Sequence, residues 1–173
     1  MMTYLALLRG INVGGNKKVP MKDLQKAFED LECLNVKTIL NTGNVKFDFT
    51  KNTLSKEDIE SHLEDVFGFF IPVILVASSD IETIVKEKPF EKINLSPDLR
   101  FYVTFLDKPV PEQLPPSLKD DSLHIMSIKD QRVCWYLDLS ETGTVDAMKI
   151  LEKAFGKNIT TRNWNTVNKM ALL

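Results

Sequence analysis

The chain is poor in the residues that most often mark chemistry. Two of its 173 residues are cysteine and two are histidine. Cys33 and Cys134 lie far apart and form no CxxC pair, which excludes a disulfide framework and points to reduced thiols in a cytoplasmic protein. Both fall at or near apolar segments, so inert packing is expected of them. His62 and His124 lie on different elements without a ligand-spaced partner, and the Glu60-Ser61-His62-Leu63-Glu64 segment is not HExxH. No metal or cofactor is therefore expected. Long apolar runs are also missing. The longest, 66–77, has 12 residues and is broken by Gly68 and Pro72. A membrane-spanning helix needs roughly 18 or more. The N-terminus lacks a basic stretch followed by an apolar one, so no signal peptide is expected. Neither GxSxG, SxxK nor a paired-carboxylate signature stands out, and the sequence names no reaction.

Acidic residues are missing from both ends. None occurs before Asp23 and none after Glu152. The first 22 residues carry Arg9, Lys17, Lys18 and Lys22, and the last 21 carry Lys153, Lys157, Arg162 and Lys169. The net charge is nevertheless -2, because all 24 acids fall between these ends. A mean field of that sign disfavours indiscriminate binding to nucleic acid. Two basic segments brought together by the fold would still make one local anion site; solvated surface lysines are the plainer explanation.

Hydrophobic periodicity predicts two runs of elements. A buried strand over 3–9 leads through a Gly/Asn loop to a helix with Met21, Leu24, Phe28 and Leu31 inward. Strands over 36–41 and 44–49 flank a turn at Thr42-Gly43, and the second alternates Val45, Phe47, Phe49 against Asn44, Lys46, Asp48. Ser55 with Asp58 reads as a capping box for a second helix, followed by a strand over 70–76 and a third helix ending near Pro89. This βαββαβ order is ferredoxin-like. The remainder repeats it degenerately: a strand over 100–106, a Pro-rich crossover, a hairpin over 123–139, a helix over 144–155, a short strand over 158–161 and a last helix capped by Thr161. The expected fold is α+β, two ferredoxin-like halves each followed by an extra helix. The expected division is 1–90, a Pro-rich start and crossover over 91–122, and 123–173.

Glycine numbers only seven, and four of these fall in 9–18 and 41–44. The topology puts those segments at one end of the sheet, because the first two strands run parallel. Glycine permits close backbone approach, and Lys17 and Lys18 immediately precede a helix, where the dipole favours an anion. Arg9, Asn12, Gly14, Gly15, Lys17, Lys18, Asn41, Gly43 and Asn44 are thus candidate ligand-binding residues for a phosphate or carboxylate. The alternative is tight turns, local asparagine bonds and exposed lysines. Arg162 and Asn163, beside Trp164, form a second candidate segment. Trp164 would stack on a ring or, at helical spacing with Val167 and Ala171, pack in the core. On the second sheet Tyr102 and Tyr136 are expected to share a face opposite Phe101 and Trp135, and a Cys134–His124 pair across the hairpin is geometrically allowed.

Three strings carry a resemblance: Leu7-Leu8-Arg9-Gly10-Ile11-Asn12-Val13-Gly14-Gly15-Asn16-Lys17-Lys18-Val19-Pro20-Met21, Leu40-Asn41-Thr42-Gly43-Asn44-Val45, and Thr160-Thr161-Arg162-Asn163-Trp164-Asn165-Thr166-Val167. Together they resemble the bacterial family catalogued as domain of unknown function 1697. The resemblance implies a cytoplasmic α/β protein of two ferredoxin-like halves, and no activity. Three functions follow as expectations: binding of a small phosphorylated or carboxylated, possibly nucleotide-like ligand; a scaffold or homodimer without a ligand; and, less favoured, a nucleic-acid-binding module lacking the RNP signature. No membrane partner is expected, and the chain is expected to be a monomer or homodimer.

Overall fold

A computed structural model describes residues 1–15, 17–50, 54–111, 118, 123–142 and 146–173, with the backbone alone for 141 and 142. The element order is β1 (Met2–Leu8), α1 (Met21–Asp30), β2 (Leu34–Ile39), β3 (Asn44–Phe49), α2 (Lys56–Phe67), β4 (Val73–Ala77), α3 (Ser78–Glu87), β5 (Leu99–Leu106), β6 (His124–Lys129), β7 (Arg132–Asp138), α4 (Leu139–Thr142), α5 (Ala147–Phe155), β8 (Ile159–Asn163) and α6 (Trp164–Ala171). The strands form two four-stranded sheets, ordered β2-β3-β1-β4 and β6-β7-β5-β8. Every neighbouring pair is antiparallel. The chain divides into two compact units: Met1–Thr83 with Lys169–Leu173, and Ile84–Asn168.

The first unit follows from its alternation. Val45, Phe47 and Phe49 join Ala6, Leu8 and Val73 on one face of the sheet, against Leu24, Ala27 and Phe28 of α1 and Ile59 and Leu63 of α2. These residues are almost wholly withdrawn from water, the main favourable term in folding. Ser55 caps α2 through the expected capping box: its hydroxyl accepts from the Asp58 N–H, and the Asp58 carboxylate accepts from the Ser55 N–H. Gly68 ends α2 in the left-handed region that only glycine enters cheaply.

In the second unit Trp135, Leu137, Val133 and Leu106 face Ala147 and Leu151 of α5. Asp146 caps that helix, its carboxylate accepting from the Lys149 N–H. The helix expected over 144–155 thus starts at Ala147; the start of that range and most of the Pro-rich crossover lie outside the described residues.

The two units share one backbone frame. The Leu8 N–H donates to the Gly43 carbonyl at 2.7 Å, and the Leu106 N–H donates to the Gln131 carbonyl at 2.8 Å. The Arg9 N–H donates to the Pro72 carbonyl at 2.9 Å, and the Asp107 N–H to the Asn158 carbonyl at 3.1 Å. One edge strand of each sheet, β2 and β6, carries a register shift, between Leu34 and Lys37 and between Ile125 and Ser127. In each unit the last strand passes into a helix with no residue between, Ala77 to Ser78 and Asn163 to Trp164.

Register corrects the expected second sheet. Residues directly opposite in an antiparallel pair share a face. Phe101 opposes Tyr136, and Tyr102 opposes Trp135, so the tyrosines lie on opposite faces. Tyr102 stacks on Trp135 at 4.6 Å, and the Trp135 indole N–H donates to Thr104 Oγ1 at 2.9 Å. On the other face the rings of Trp164, Phe90, Phe101, Tyr136 and His124 follow one another, with centroids 4.6–5.9 Å apart.

Candidate functional site

The 9–20 loop is held by its own asparagine. Asn12 Nδ2 donates to the Val19 carbonyl at 3.0 Å and to the Asn41 carbonyl at 3.1 Å, and Oδ1 accepts from the Val19 N–H at 2.8 Å. One amide therefore ties both sides of the loop to the β2–β3 turn. Ile11 and Val19 anchor it in the core. Gly43 is required here for two reasons. Its φ is +74°, and a Cβ would meet Leu8 Cβ at 2.8 Å and Ile11 Cδ1 at 2.9 Å. Asn44 is fully buried, and its Nδ2 donates to the Ile39 carbonyl at 3.0 Å and Thr42 Oγ1 at 2.9 Å. The structure thus brings Asn12, Asn41, Gly43 and Asn44 together with the loop, as the topology predicts, and gives three of them internal work.

The outward side of the same loop has a different character. Gly14 and Gly15 have positive φ, and a Cβ at either meets nothing within 4 Å. Lys17 also has positive φ, at 51°, a conformation that strains a residue with a side chain. Its ammonium sits 5.4 Å from the centroid of the Phe69 ring. Lys18 turns to a groove of about 480 Å³ lined with Asn12, Gly15, Val19, Pro20, Met21 and Asn41. Lys18 makes no ion pair among the described residues. α1 opens onto this groove. Its N-cap is Pro20, extended and without a side-chain cap, and Asp23 is the acid of its first turn. The first-turn N–H groups have no intrahelical acceptor. Sequence reasoning located the loop but missed the walls supplied by Val19, Pro20 and Met21. The position of Pro20, which has no side-chain acceptor to cap a helix, was the available signal. Asn16 lies outside the described residues.

The other sequence-predicted residues lie in the second unit. β8 runs on to Asn163, so Arg162 is a strand residue and not in a helix's first turn. Asn163, not Thr161, caps α6: its Oδ1 accepts from the Thr166 N–H at 2.8 Å and the Thr166 hydroxyl at 2.9 Å. The Arg162 guanidinium is buried, donating to Thr160 Oγ1 at 2.7 Å and the Thr161 carbonyl at 3.0 Å. That burial lowers its pKa to about 10. Trp164 is half-buried, edge-on to Phe90.

The nucleophile candidates are closed off. Burial pushes the Cys33 thiol up to about 11 and raises that of Cys134 as well, so neither is a thiolate near neutral pH. His124 opposes Tyr136 and stacks on it at 4.6 Å, whereas Cys134 opposes Ser127. The hairpin therefore forms no Cys134–His124 pair. His62 is a half-buried residue of α2. No cluster of metal-ligating side chains occurs among the described residues. No described helix is long and apolar enough to cross a membrane.

The architecture is that of an α+β protein in which one strand order is used twice, with an uncapped helix start opening beside a Gly/Asn/Lys loop in the first unit. Residues 1–131 match the family described as Protein of unknown function (DUF1697), and the chain belongs to that family. It is similar over its whole length to a solved structure, that of a conserved bacterial protein from Streptococcus pneumoniae. The two share 24% identity with a TM-score of 0.70, over 99% of this chain and 97% of that one. Among curated proteins none matches.

Proposed function

We propose that the first unit binds a small phosphate- or carboxylate-bearing ligand in the groove between the 9–20 loop and α1, and that each unit is a ferredoxin-like module. One observation carries the binding reading: α1 begins without a side-chain cap and faces a groove that Lys18 enters. An anion there would meet N–H groups, the positive end of the helix dipole and an ammonium together. Gly14 and Gly15 leave room for close backbone approach, and Arg9 and Lys17 add positive charge to the same loop. Asn12, Gly43 and Asn44 hold the loop in place. Arg162 and Asn163 are not part of the proposal, because their side chains are engaged within the second unit. The register shifts in β2 and β6 disfavour pairing of copies along those two edges.

The test is thermal unfolding against nucleotides, sugar phosphates, small carboxylates and short oligonucleotides. A ligand at 100 times its Kd adds roughly 2.7 kcal/mol. In a chain of this size that raises the midpoint by on the order of 5–10 °C. The shift is expected with a small anion, and the part of it that comes from this groove is lost in Lys18→Ala. A flat panel overturns the proposal, and a shift with oligonucleotides alone transfers the site to nucleic acid.

A further inference from the structure

The opposite end of the first unit's sheet carries a second recess, of about 620 Å³. That volume lies within the roughly 300–1,000 Å³ of small-molecule sites. It opens where β1 begins, on the sheet face turned away from α1 and α2. Thr3 and Asp48 oppose each other there, and one step further along the face Lys37 opposes Lys46. Ser78, Ser79 and Glu82 of α3 line it too, as does Leu173. The Asp48 carboxylate accepts from the Thr3 hydroxyl at 2.6 Å and from Asn35 Nδ2 at 2.8 Å. These bonds and the nearby Lys46 charge hold it below its ordinary pKa, so it is ionised.

The lysine pair is what the fold does not require. Like charges directly across a strand pair are destabilising, by roughly 0.2–1 kcal/mol. Neither ammonium makes an ion pair among the described residues. The shared frame puts Ser127 and Cys134 of the second unit where the first has Lys37 and Lys46, and they too are directly opposed. It likewise puts Phe101, Tyr136 and Trp164 where the first unit has Thr3, Asp48 and Ser78. The same skeleton thus accepts a neutral pair at this row and rings beside it.

We propose that this recess binds a phosphomonoester of a small hydroxylated molecule. The phosphate lies between the Lys37 and Lys46 ammonium groups, with the ligand's hydroxyls toward Asp48 and Ser79. Lysine recognises phosphate as a point charge, and no arginine fork for a carboxylate lines the recess. The site is separate from the groove at α1 and stands whether or not that groove binds anything.

Residue-resolved amide shifts of the full chain, at low ionic strength, separate the two sites. The probes are inorganic phosphate, glycerol phosphate and glycerol. Saturable shifts are expected at Thr3, Lys46 and Ser79 with both phosphates, tighter for glycerol phosphate, and absent with glycerol. Lys46→Met should weaken them about tenfold, and Lys37→Ser, which installs the second unit's residue, should do the same. Lys18→Ala should leave them unchanged. Both recess variants should unfold at or slightly above the parent temperature, since one of two opposed charges is gone; should Lys46→Met fail to fold, Lys37→Ser decides. Shifts confined to Gly15 and Lys18, shifts unaltered in Lys37→Ser, or none with either phosphate would overturn the proposal.

Discussion

The two units use one strand order and one set of hydrogen bonds at the exit of their first strand, yet they place different chemistry on it. The carbonyl that receives the Leu8 N–H belongs to Gly43, packed against Leu8 and Ile11. The carbonyl that receives the Leu106 N–H belongs to Gln131, an exposed residue. The next residue along is buried in both units: Asn44, bonded to the turn, and Arg132, whose guanidinium reaches Glu87 at 2.6 Å. At the far end Thr3 and Asp48 form a hydrogen-bonded pair where Phe101 and Tyr136 form a ring pair. Backbone pairing sets the frame, and side chains at equivalent rows are free to be glycine or glutamine, amide or guanidinium, hydroxyl or ring. What distinguishes the units is what each must pack beside that frame.

The largest test of this contrast is Gly43→Ala. Positive φ and a Cβ contact at 2.8 Å should together cost roughly 2–4 kcal/mol. At about 2–4 °C per kcal/mol the melting temperature should fall clearly. Gln131→Gly, at the equivalent carbonyl, should cost under about 1 kcal/mol, the entropy of an added glycine. Equal losses would break the contrast. Next comes Asn44→Ala, which leaves the Ile39 carbonyl and Thr42 hydroxyl short of a donor in a buried place. Denaturant unfolding should show a loss of about 1–3 kcal/mol.

Acid should separate the units in a third way. Hydrogen bonds from Lys129 and then Arg132 lower the Glu87 pKa. A carboxylate more acidic in the folded state stabilises above its unfolded pKa, and that contribution fades as pH falls through the lowered folded value. The melting temperature of the parent should therefore fall through the range below the ordinary glutamate value of 4.5, and Glu87→Gln should flatten that limb. Glu87 is more than a third exposed, so the effect is a modest one. A parallel limb in both proteins would remove Glu87 from the account. The smallest effect is the stability of Lys37→Ser in the absence of ligand, expected within about 0.5 kcal/mol of the parent by denaturant unfolding.

The strands, the capping box at Ser55 and the Thr42-Gly43 turn were legible because each is written in adjacent residues. The meeting of the 9–18 loop with the 41–44 turn was legible because strand order alone dictates it. Register was not. Whether Tyr136 falls beside Phe101 or Tyr102 depends on a one-residue slip between strands more than 30 positions apart, and both choices leave apolar faces. Arg162 was equally opaque, because Thr160 and Thr161 fit a short strand or a helix start, and only pairing with β5 selects the strand. Lys37 and Lys46 each look like ordinary solvent-facing strand residues, and their opposition across β2 and β3 is a property of the pair. The roles of Asn12 were hidden for a related reason: its acceptors are backbone carbonyls, one of them 29 residues away.

The hydrogen bonds that mark the shared frame also measure the connections between them. From Leu8 to its partner Gly43 is 35 positions, and from Leu106 to its partner Gln131 is 25. From Gly43 to Pro72 is 29, and from Gln131 to Asn158 is 27. Nearly all the difference in length therefore falls in the first crossover, the stretch that in the first unit holds the 9–20 loop and α1. A doubled skeleton ordinarily suggests two equivalents of ligand per chain. The groove at α1 belongs to a segment whose counterpart in the second copy is ten positions shorter, so the proposed binding there predicts one equivalent of ligand in that groove per chain.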